Sequence, residues 1–155
     1  MNSQEFACQI IAMTQTLYRV AYAQLPQKSD REDAVQETLR RAWERREQLK
    51  NPEYLQTWVI RILLNVCHNI QKHNKRVLPR DDVPVTAQDH PPELRDALLA
   101  LEEKYRMPIL LHYIEGYSVI QTAAMLRLPQ GTVKTRLRIG REKLKVMLRE
   151  EVFGA

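Results

Sequence analysis

The last third of the sequence carries a row of basic side chains at helical spacing. From Arg127 to Arg149 there are eight Lys or Arg residues and one acid, a local charge of +7 against +5 for the whole chain. Four of them step by four, three and four positions and so share one helix face: Lys134, Arg138, Arg141 and Lys145. Such a cationic stripe matches nucleic-acid phosphates, and Arg or Lys near a helix start can reach base edges in the major groove. The alternative interpretation is an ordinary solvated helix face.

Breaks in the sequence around this stripe predict a helix-turn-helix. Ser118 and Gln121 form a capping box that opens a short helix, in which the small Ala123 allows a close helix crossing. The segment 128–131 interrupts the helical pattern, and Thr132 opens a longer helix that continues to about residue 148. The apolar stripe of this second helix comprises Val133, Leu137, Gly140, Leu144 and Leu148. A short helix, a tight break and a second helix favour DNA binding over the solvated-face alternative.

Two further polar faces lie on helices earlier in the chain. One face combines phosphate-pairing charges with Asn and His, which can hydrogen-bond bases, although a solvated face is the simpler reading of it alone. Its members are Arg61, Asn65, His68, Lys72, Lys75 and Arg76. The other face is rich in acceptors and is unsuited to DNA, which indicates a protein partner, again with a solvated face as the default. Its members are Asp33, Gln36, Glu37, Arg40 and Glu44.

The sequence shows no arrangement typical of catalysis or metal binding. It has no H-E-x-x-H pair, no G-x-S-x-G elbow and no Walker-type loop, and Asp81–Asp82 lies in a Pro-rich stretch that would not preorganise two carboxylates. Cys8 and Cys67 have no metal-ligand spacing, and we predict that both are inert core thiols. We therefore expect a protein that is not an enzyme and that needs no metal or other cofactor.

Length and composition set the scale of the fold. The chain has 155 residues, enough for one ordinary domain or two small ones, with a globular composition of 44% apolar and 28% charged residues. The segment 1–5 lacks a signal-peptide pattern, and no apolar run approaches the roughly 18 residues of a membrane span. We expect a cytoplasmic protein without membrane insertion.

Helical periods and stop signals predict an all-α fold of two small modules. In the first module, residues 1–76, one helix ends near Leu25, a second opens at a Ser29–Glu32 capping box, and a third opens at Asn51–Pro52. The second helix should bury Val35, Leu39, Ala42 and Trp43. The third should bury Leu55, Trp58, Val59, Ile62, Leu63, Val66 and Ile70.

A Pro-rich stretch without periodicity, residues 77–92, is predicted to be the linker to a second module, residues 93–155. In that module, helices at about 93–104 and 108–115 precede the helix-turn-helix, and Pro108 is read as a helix start.

Three segments resemble motifs of bacterial sigma factors, in the family's order. Asp33–Thr38, followed by Trp43, looks like the D-x-V-Q-E-x motif that binds core polymerase, and Thr57–Asn65 resembles the T-W-L-x-R-I-x-x-N helix. Glu115–Leu137 is similar to the E-G-x-S…P-x-G-T-V-K-S-R-L helix-turn-helix. The resemblance spans essentially the whole chain. Because only a short linker separates the two modules, the chain most resembles the extracytoplasmic-function group of this family.

The resemblance implies a partner for each polar face. The motif helix, through Asp33, Gln36, Glu37 and Arg40, would dock on the β′ clamp helices of core RNA polymerase, with the β flap as a further contact. The next helix and the loop before it, Glu47–Tyr54, would recognise and open the minus-ten element by capturing an unstacked base. The residues implied there are Trp58, Arg61, Asn65, His68 and Lys72. An anti-sigma factor is a further implied partner, and the acidic linker would thread the polymerase cleft.

The helix-turn-helix is implied to read the minus-thirty-five element of promoter DNA. The residues implied there are Thr132, Lys134, Thr135, Arg136, Arg138 and Arg141. Arg127 departs from the family, which usually has Gly at the turn; a left-handed Arg there would cost about 1 kcal/mol. Ile139 stands where an Arg is common, Leu55 replaces a frequent aromatic residue, and Glu53 adds negative charge near the implied base pocket, so base preferences do not transfer.

Two other classes of protein compete with the sigma-factor hypothesis. A helix-turn-helix repressor or activator that never binds polymerase would leave the acceptor-rich face from Asp33 to Glu37 without a role. A helical adaptor that sequesters other regulators would tolerate the loss of Lys134 and Arg138.

Overall fold

The computed structural model describes residues 1–77 and 92–153, and within these ranges the chain is helical with no strand. The helices are α1 (Ser3–Ala12), α2 (Thr14–Tyr22), α3 (Lys28–Glu44), α4 (Leu55–Val77), α5 (Pro92–Ala100), α6 (Glu103–Ile109), α7 (Val119–Leu126) and α8 (Gln130–Phe153). Two 3₁₀ turns, Arg46–Gln48 and Pro52–Tyr54, lie between α3 and α4, and a π turn, Leu110–Ile114, extends α6. The chain forms two compact units, Met1–Pro84 and Val85–Ala155. The predicted all-α fold is confirmed. The predicted linker falls almost wholly outside the described residues, so its boundaries stay predictions.

The first unit is built on α3 and α4, which pack along each other with α2 against both. Leu17, Val20, Val35, Val59 and Leu63 are fully or almost fully buried between them. Each buried aliphatic side chain of this size contributes about 1.5–3 kcal/mol by leaving water.

Polar contacts hold the far end of α4 against the segment after α2 and the first turn of α3. Gln71 Nε2 donates to the Gln24 carbonyl at 2.9 Å, and Asn74 Nδ2 donates to Asp30 Oδ2 at 3.0 Å. These two bonds hold the second half of α4 in place, and with it the polar face that this helix carries.

The predicted first helix is two helices, divided at Met13. The Thr14 hydroxyl donates to the Ile11 carbonyl at 2.7 Å, and the Met13 N–H bonds to the Ile10 carbonyl at 3.0 Å, three residues back. A Thr side chain that takes a nearby carbonyl competes with the helical ladder, and the chain turns there. The apolar period continues across the break, which explains why the sequence pattern predicts one helix.

The start of α3 also differs from the prediction. The helix begins at Lys28, its N-cap Gln27 makes no side-chain capping bond, and the predicted Ser29–Glu32 capping box is wrong. Instead, the Arg31 guanidinium donates to the Leu25 and Pro26 carbonyls at 3.2 and 3.0 Å. These bonds connect the preceding turn to the first turn of α3. The helix therefore begins one residue before Ser29, and Ser29 lies inside it rather than at the cap position. The predicted cap before α4 is confirmed, since Asn51 accepts from the Glu53 N–H at 3.0 Å.

Two residues predicted to lie in the core are exposed. Cys8 lies on the outer side of α1, because the helix buries Phe6 and Ile10 and a residue midway between them points away. Cys67 is buried as predicted. Trp43 is 41% exposed, and its ring covers the flank of Phe6 at a centroid distance of 6.3 Å. Leu39, Trp58, Ile62 and Ile70 are half-buried rather than buried.

In the second unit, α8 packs against α5, α6 and α7. Of its predicted apolar stripe, four members are buried and Leu148 is half-buried. At Gly140 the helix packs tightly against α6, since a Cβ there would lie 3.1 Å from Ile109 Cγ1. This crossing fixes α8 against α6 immediately beside Arg141.

The predicted helix start at Pro108 is wrong, because Pro108 lies inside α6. Its ring is buried, and this burial offsets the lost backbone bond, which costs about 3 kcal/mol in a helix interior. The real break lies before Glu103. There, Arg106 Nη1 donates to the Leu99 and Leu101 carbonyls, both at 3.1 Å, and closes the end of α5.

Candidate functional site

The helix-turn-helix is formed by α7 and α8. Ser118 Oγ accepts from the Gln121 N–H at 3.0 Å, and Gln121 Oε1 accepts from the Ser118 N–H at 2.9 Å, which confirms the capping box. Helix α7 ends at Leu126, and its C-cap residue, Arg127, has φ 57° and ψ 46°. This left-handed residue turns the chain so that α8 can start at Gln130. The condition for the cost of a non-Gly residue at this turn is therefore met.

The basic stripe of α8 is exposed along its whole length, since Lys134, Arg138, Arg141 and Lys145 are all accessible. Arg138 lies 3.8 Å from Glu142, but both side chains are more than half exposed, and such surface pairs contribute little. The stripe thus presents its charge to solvent, as a phosphate-binding surface requires.

The other predicted residues of α8 do not share that stripe. At 100° per residue, Arg136 lies about 140° from Arg141 around the helix, and Thr132 lies beside Arg136. Both are half-buried on the opposite flank of the apolar stripe, whereas Thr135 is exposed. Four of the six predicted residues, Thr132, Lys134, Thr135 and Arg136, therefore lie near the start of α8, where a helix entering a groove presents both flanks, whereas Arg138 and Arg141 lie further along the helix.

Sequence reasoning missed Tyr113, which contacts this surface from the π turn. Its hydroxyl accepts a hydrogen bond from Arg141 Nη1, and Arg141 Cζ lies 5.8 Å from the ring centroid. No pattern in the sequence predicts this contact, because it joins residues of two different elements.

The polar stripe of α4 is accessible at Asn65, His68 and Lys72, and at Lys75 and Arg76 beyond them. Arg61 is half-buried. Trp58 borders the stripe, with its ring edge-on to Phe6 at a centroid distance of 6.1 Å. The structure thus places the predicted polar residues on one face, with an aromatic residue at its margin.

Residues at the chain start flank the loop that precedes α4. The Arg46 guanidinium stacks 4.0 Å from the centroid of the Trp43 ring, donates to the Trp43 carbonyl at 2.8 Å and donates to Ser3 Oγ at 3.3 Å. A cavity of about 260 Å³ lies between this loop and the first residues of the chain. It is lined by Met1, Ser3, Phe6, Arg46, Leu49 and Pro52, among others. The sequence analysis did not predict this contact, because it joins residues far apart in the chain.

The acceptor-rich face of α3 contains an ion-pair network. Glu37 accepts from Arg40 Nη2 at 2.5 Å and from Arg41 Nε at 2.7 Å, while Arg40 Nη1 donates to Glu44 at 2.7 Å. These hydrogen bonds lower the pKa of Glu37 to about 2. Asp33 and Gln36 are exposed one turn before this network. The sequence did not single out Arg41, which holds Glu37 from the side.

Within residues 1–77 and 92–153, no cluster of His, Cys, Asp and Glu is arranged to hold a metal ion. Over the same described residues, no helix combines the length and apolar character that crossing a membrane requires.

Each of the two units matches a model of a known protein family. The model of Sigma-70 region 2 matches residues 11–77, and the model of Sigma-70, region 4 matches residues 92–144. The chain is 27% identical to the RNA polymerase sigma factor SigV of Bacillus subtilis, over 88% of this chain and 87% of SigV. It is 28% identical to the ECF sigma factor SigW of the same organism, over 86% of this chain and 83% of SigW. The chain belongs to the extracytoplasmic-function sigma factors.

Solved structures agree with this membership. The sigma factor RpoE of Bartonella quintana, in complex with the anti-sigma factor NepR, aligns with a TM-score of 0.80 and 25% identity over 94% of this chain and 98% of RpoE. CnrH, in complex with the cytosolic domain of CnrY, shares the fold with a TM-score of 0.71 over 95% of this chain and 89% of CnrH.

The family resemblance read from the sequence is confirmed, and the protein is a polymerase-binding sigma factor. A repressor that never binds polymerase is not favoured, because the match to region 2 covers the whole described part of the first unit after α1. The relatives of this chain are transcription regulators rather than enzymes.

Proposed function

We propose that this sigma factor recruits core RNA polymerase through α3, opens the minus-ten element with α4 and binds the minus-thirty-five element with α8. The observation that carries the proposal is the distribution of three polar faces over the two matched regions. The acceptor-rich face and the α4 stripe fall in residues 11–77, and the basic stripe falls in residues 92–144. Each step of initiation thereby has a surface of suitable chemistry.

Core polymerase binds the outward face of α3 in this proposal. Asp33 and Gln36 offer exposed acceptors to the β′ clamp helices, and Glu37 and Arg40 extend the contact along the helix. The ion pairs among Glu37, Arg40 and Arg41 hold these side chains in one arrangement before binding. Preorganisation of this kind lowers the ordering cost of association. The β flap is proposed as a second polymerase contact.

The minus-ten element binds α4 and the loop before it. Asn65 and His68 supply hydrogen-bonding groups, Arg61 and Lys72 supply charge, and Trp58 borders the stripe as an aromatic surface. Backbone charge combined with aromatic stacking is how proteins hold single strands. The loop that carries Glu47–Tyr54 lines one wall of the cavity beside Arg46, which has room for a base turned out of the stack.

The minus-thirty-five element binds α8 in the major groove. Lys134, Arg138 and Arg141 contact phosphates along the exposed stripe, while Thr132, Thr135 and Arg136 lie near the helix start, where side chains reach base edges. Lys145 extends the stripe toward the helix end.

An anti-sigma factor is a further proposed partner. RpoE, which is 25% identical to this chain, is found in complex with the anti-sigma factor NepR. We propose that a protein of the same kind binds this sigma factor and keeps it from polymerase.

Paired double variants test the assignment of faces. Asp33→Ala with Gln36→Ala should abolish co-elution with bacterial core polymerase in gel filtration, because the polymerase loses its exposed acceptors. Lys134→Ala with Arg138→Ala is the matched control: it should co-elute with core polymerase like the unaltered chain but fail to direct transcription. Both variants should keep the helical circular dichroism of the unaltered protein.

Retention of core binding by the Asp33→Ala, Gln36→Ala variant would contradict the assignment of α3. Undiminished promoter-directed transcription by the Lys134→Ala, Arg138→Ala variant would contradict the assignment of α8.

A further inference from the structure

We infer that Tyr113 is a positioning residue for promoter binding, whose hydroxyl holds the Arg141 guanidinium in the basic stripe of α8, ready to donate to a DNA phosphate. The inference rests on the proposed function, in which Arg141 contacts minus-thirty-five DNA. It adds a residue outside the helix-turn-helix to the DNA-binding surface.

The π turn brings Tyr113 to the surface. The Glu115 N–H bonds to the Leu110 carbonyl at 2.9 Å, five residues back, and the Tyr117 N–H bonds to the Leu111 carbonyl at 3.0 Å. Leu110 and Leu111 stay in the core, whereas Tyr113 is 48% exposed. Such wide turns occur mostly singly and often at functional sites. Here the wide turn separates the buried residues from an aromatic residue directed to the surface of α8.

The ring of Tyr113 is itself held in place. The His112 ring packs edge-on against it, with centroids 4.8 Å apart and planes at 66°. His112 Nδ1 lies 2.7 Å from the Tyr117 carbonyl, and because a carbonyl only accepts, Nδ1 carries the proton of this bond. The hydroxyl of Tyr113 is therefore presented from a supported ring.

The backbone below Arg141 is equally constrained. Gly140 is buried where α8 packs against α6, and a Cβ at this position would lie only 3.1 Å from Ile109 Cγ1. The packing of α8 against α6 thus fixes the backbone next to Arg141, and the Tyr113 hydroxyl holds the guanidinium at the end of its side chain.

The chemistry of the contact preserves the charge of Arg141. A guanidinium has five N–H donors, so the bond to Tyr113 leaves others for a phosphate, and the neutral phenol cancels none of the charge. Arg138, by contrast, lies beside the carboxylate of Glu142. A long side chain that is already ordered loses less freedom when it binds, so Tyr113 favours the bound state without touching DNA.

The test measures binding of the reconstituted holoenzyme to a duplex carrying the upstream half of a promoter that run-off transcription identifies. Tyr113→Phe keeps the ring and removes the hydroxyl, and we expect it to weaken binding by about threefold to tenfold, the range of one hydrogen bond. Arg141→Ala should weaken binding further and reduce the slope of log affinity against log salt by about 0.9.

The double variant separates positioning from a general effect on the fold. Because Tyr113 acts through Arg141, Tyr113→Phe should change nothing further in the Arg141→Ala background. Tyr105→Phe is the matched control, since the Tyr105 ring lies 5.3 Å from another cation of α8, Lys143, which is outside the stripe. It should leave affinity and salt slope unchanged.

Three results would overturn the inference. Unchanged or tighter binding by Tyr113→Phe would show that the hydroxyl does not prepare Arg141 for DNA. An equal loss in the presence and absence of the Arg141 side chain would show that Tyr113 acts elsewhere. An unaffected Arg141→Ala variant would instead refute the proposed role of Arg141 itself, on which the inference rests.

Discussion

Arg127 holds a backbone conformation that glycine adopts at lower cost. Its φ of 57° places Cβ close to the following carbonyl, which costs about 1–2 kcal/mol for a residue other than Gly. We therefore expect Arg127→Gly to stabilise the second unit by about 1 kcal/mol, or about 4–8 °C in the melting temperature of a domain of this size. Thermal unfolding followed by circular dichroism measures the change.

Arg127→Ala distinguishes backbone relief from loss of charge. Alanine removes the guanidinium but keeps the Cβ that causes the strain, so it should not raise the melting temperature. If Arg127→Ala stabilised the protein as much as Arg127→Gly, charge repulsion rather than backbone conformation would be the cause.

Glu37 makes the α3 face insensitive to moderate acid. Hydrogen bonds from Arg40 and Arg41 lower the pKa of Glu37 from 4.5 to about 2. Because the folded-state pKa is depressed, the stabilisation from this carboxylate is fully present above pH 4.5 and is lost as the pH falls through about 2. Protonation of Glu37 should therefore not weaken core binding between pH 7 and pH 5.

Carboxyl ¹³C NMR titration of Glu37 checks this assignment. We expect a midpoint well below the ordinary value in the unaltered protein and an upward shift toward 4.5 in Arg41→Ala, which removes one of the two donors. A midpoint near 4.5 in the unaltered protein would show that the ion-pair network does not persist in solution.

Among the elements, α8 makes the most direct electrostatic prediction. Each phosphate contact removed from a duplex-binding surface lowers the slope of log affinity against log salt by about 0.9. Lys134→Ala and Arg138→Ala should each lower the slope for holoenzyme binding to a promoter duplex by this amount. Lys143→Ala is the matched control, because Lys143 lies off the stripe and pairs with Glu102 at 3.8 Å. An equal effect of Lys143→Ala would mean that general charge, not the stripe, binds DNA.

The sequence predicted best those elements whose signals are local. The Ser118 capping box and the Asn51 cap each depend on residues within one turn, and the apolar stripe of α8 depends on the spacing along a single helix. Local chemistry also predicted the exposure of the basic stripe, since a face that alternates with a buried stripe must point outward.

The failed predictions depend on contacts between elements. Pro108 continues a helix because its ring is buried, and α3 starts early because Arg31 bonds the preceding turn. Trp43 lies at the surface, where it contacts Phe6 and Arg46, and Tyr113 contacts Arg141 from a different element, the π turn. Spacing along one helix carries no information on such contacts.

For the whole molecule, the order of the motifs predicted the function better than any single surface did. A basic stripe alone fits many DNA-binding proteins, and an acceptor-rich face alone fits any solvated helix. Their succession along one chain corresponds to regions 2 and 4 of the sigma-70 family. Base preference does not follow in the same way, because Ile139 stands within the helix-turn-helix where the family commonly has an Arg.

The most direct test of the central claim is run-off transcription with purified bacterial core polymerase on a pooled library of upstream DNA, with and without this protein. We predict discrete start sites that appear only when the protein is present and that share minus-ten and minus-thirty-five elements. Transcripts that do not depend on the protein, together with no co-elution with core polymerase, would contradict its role as a sigma factor.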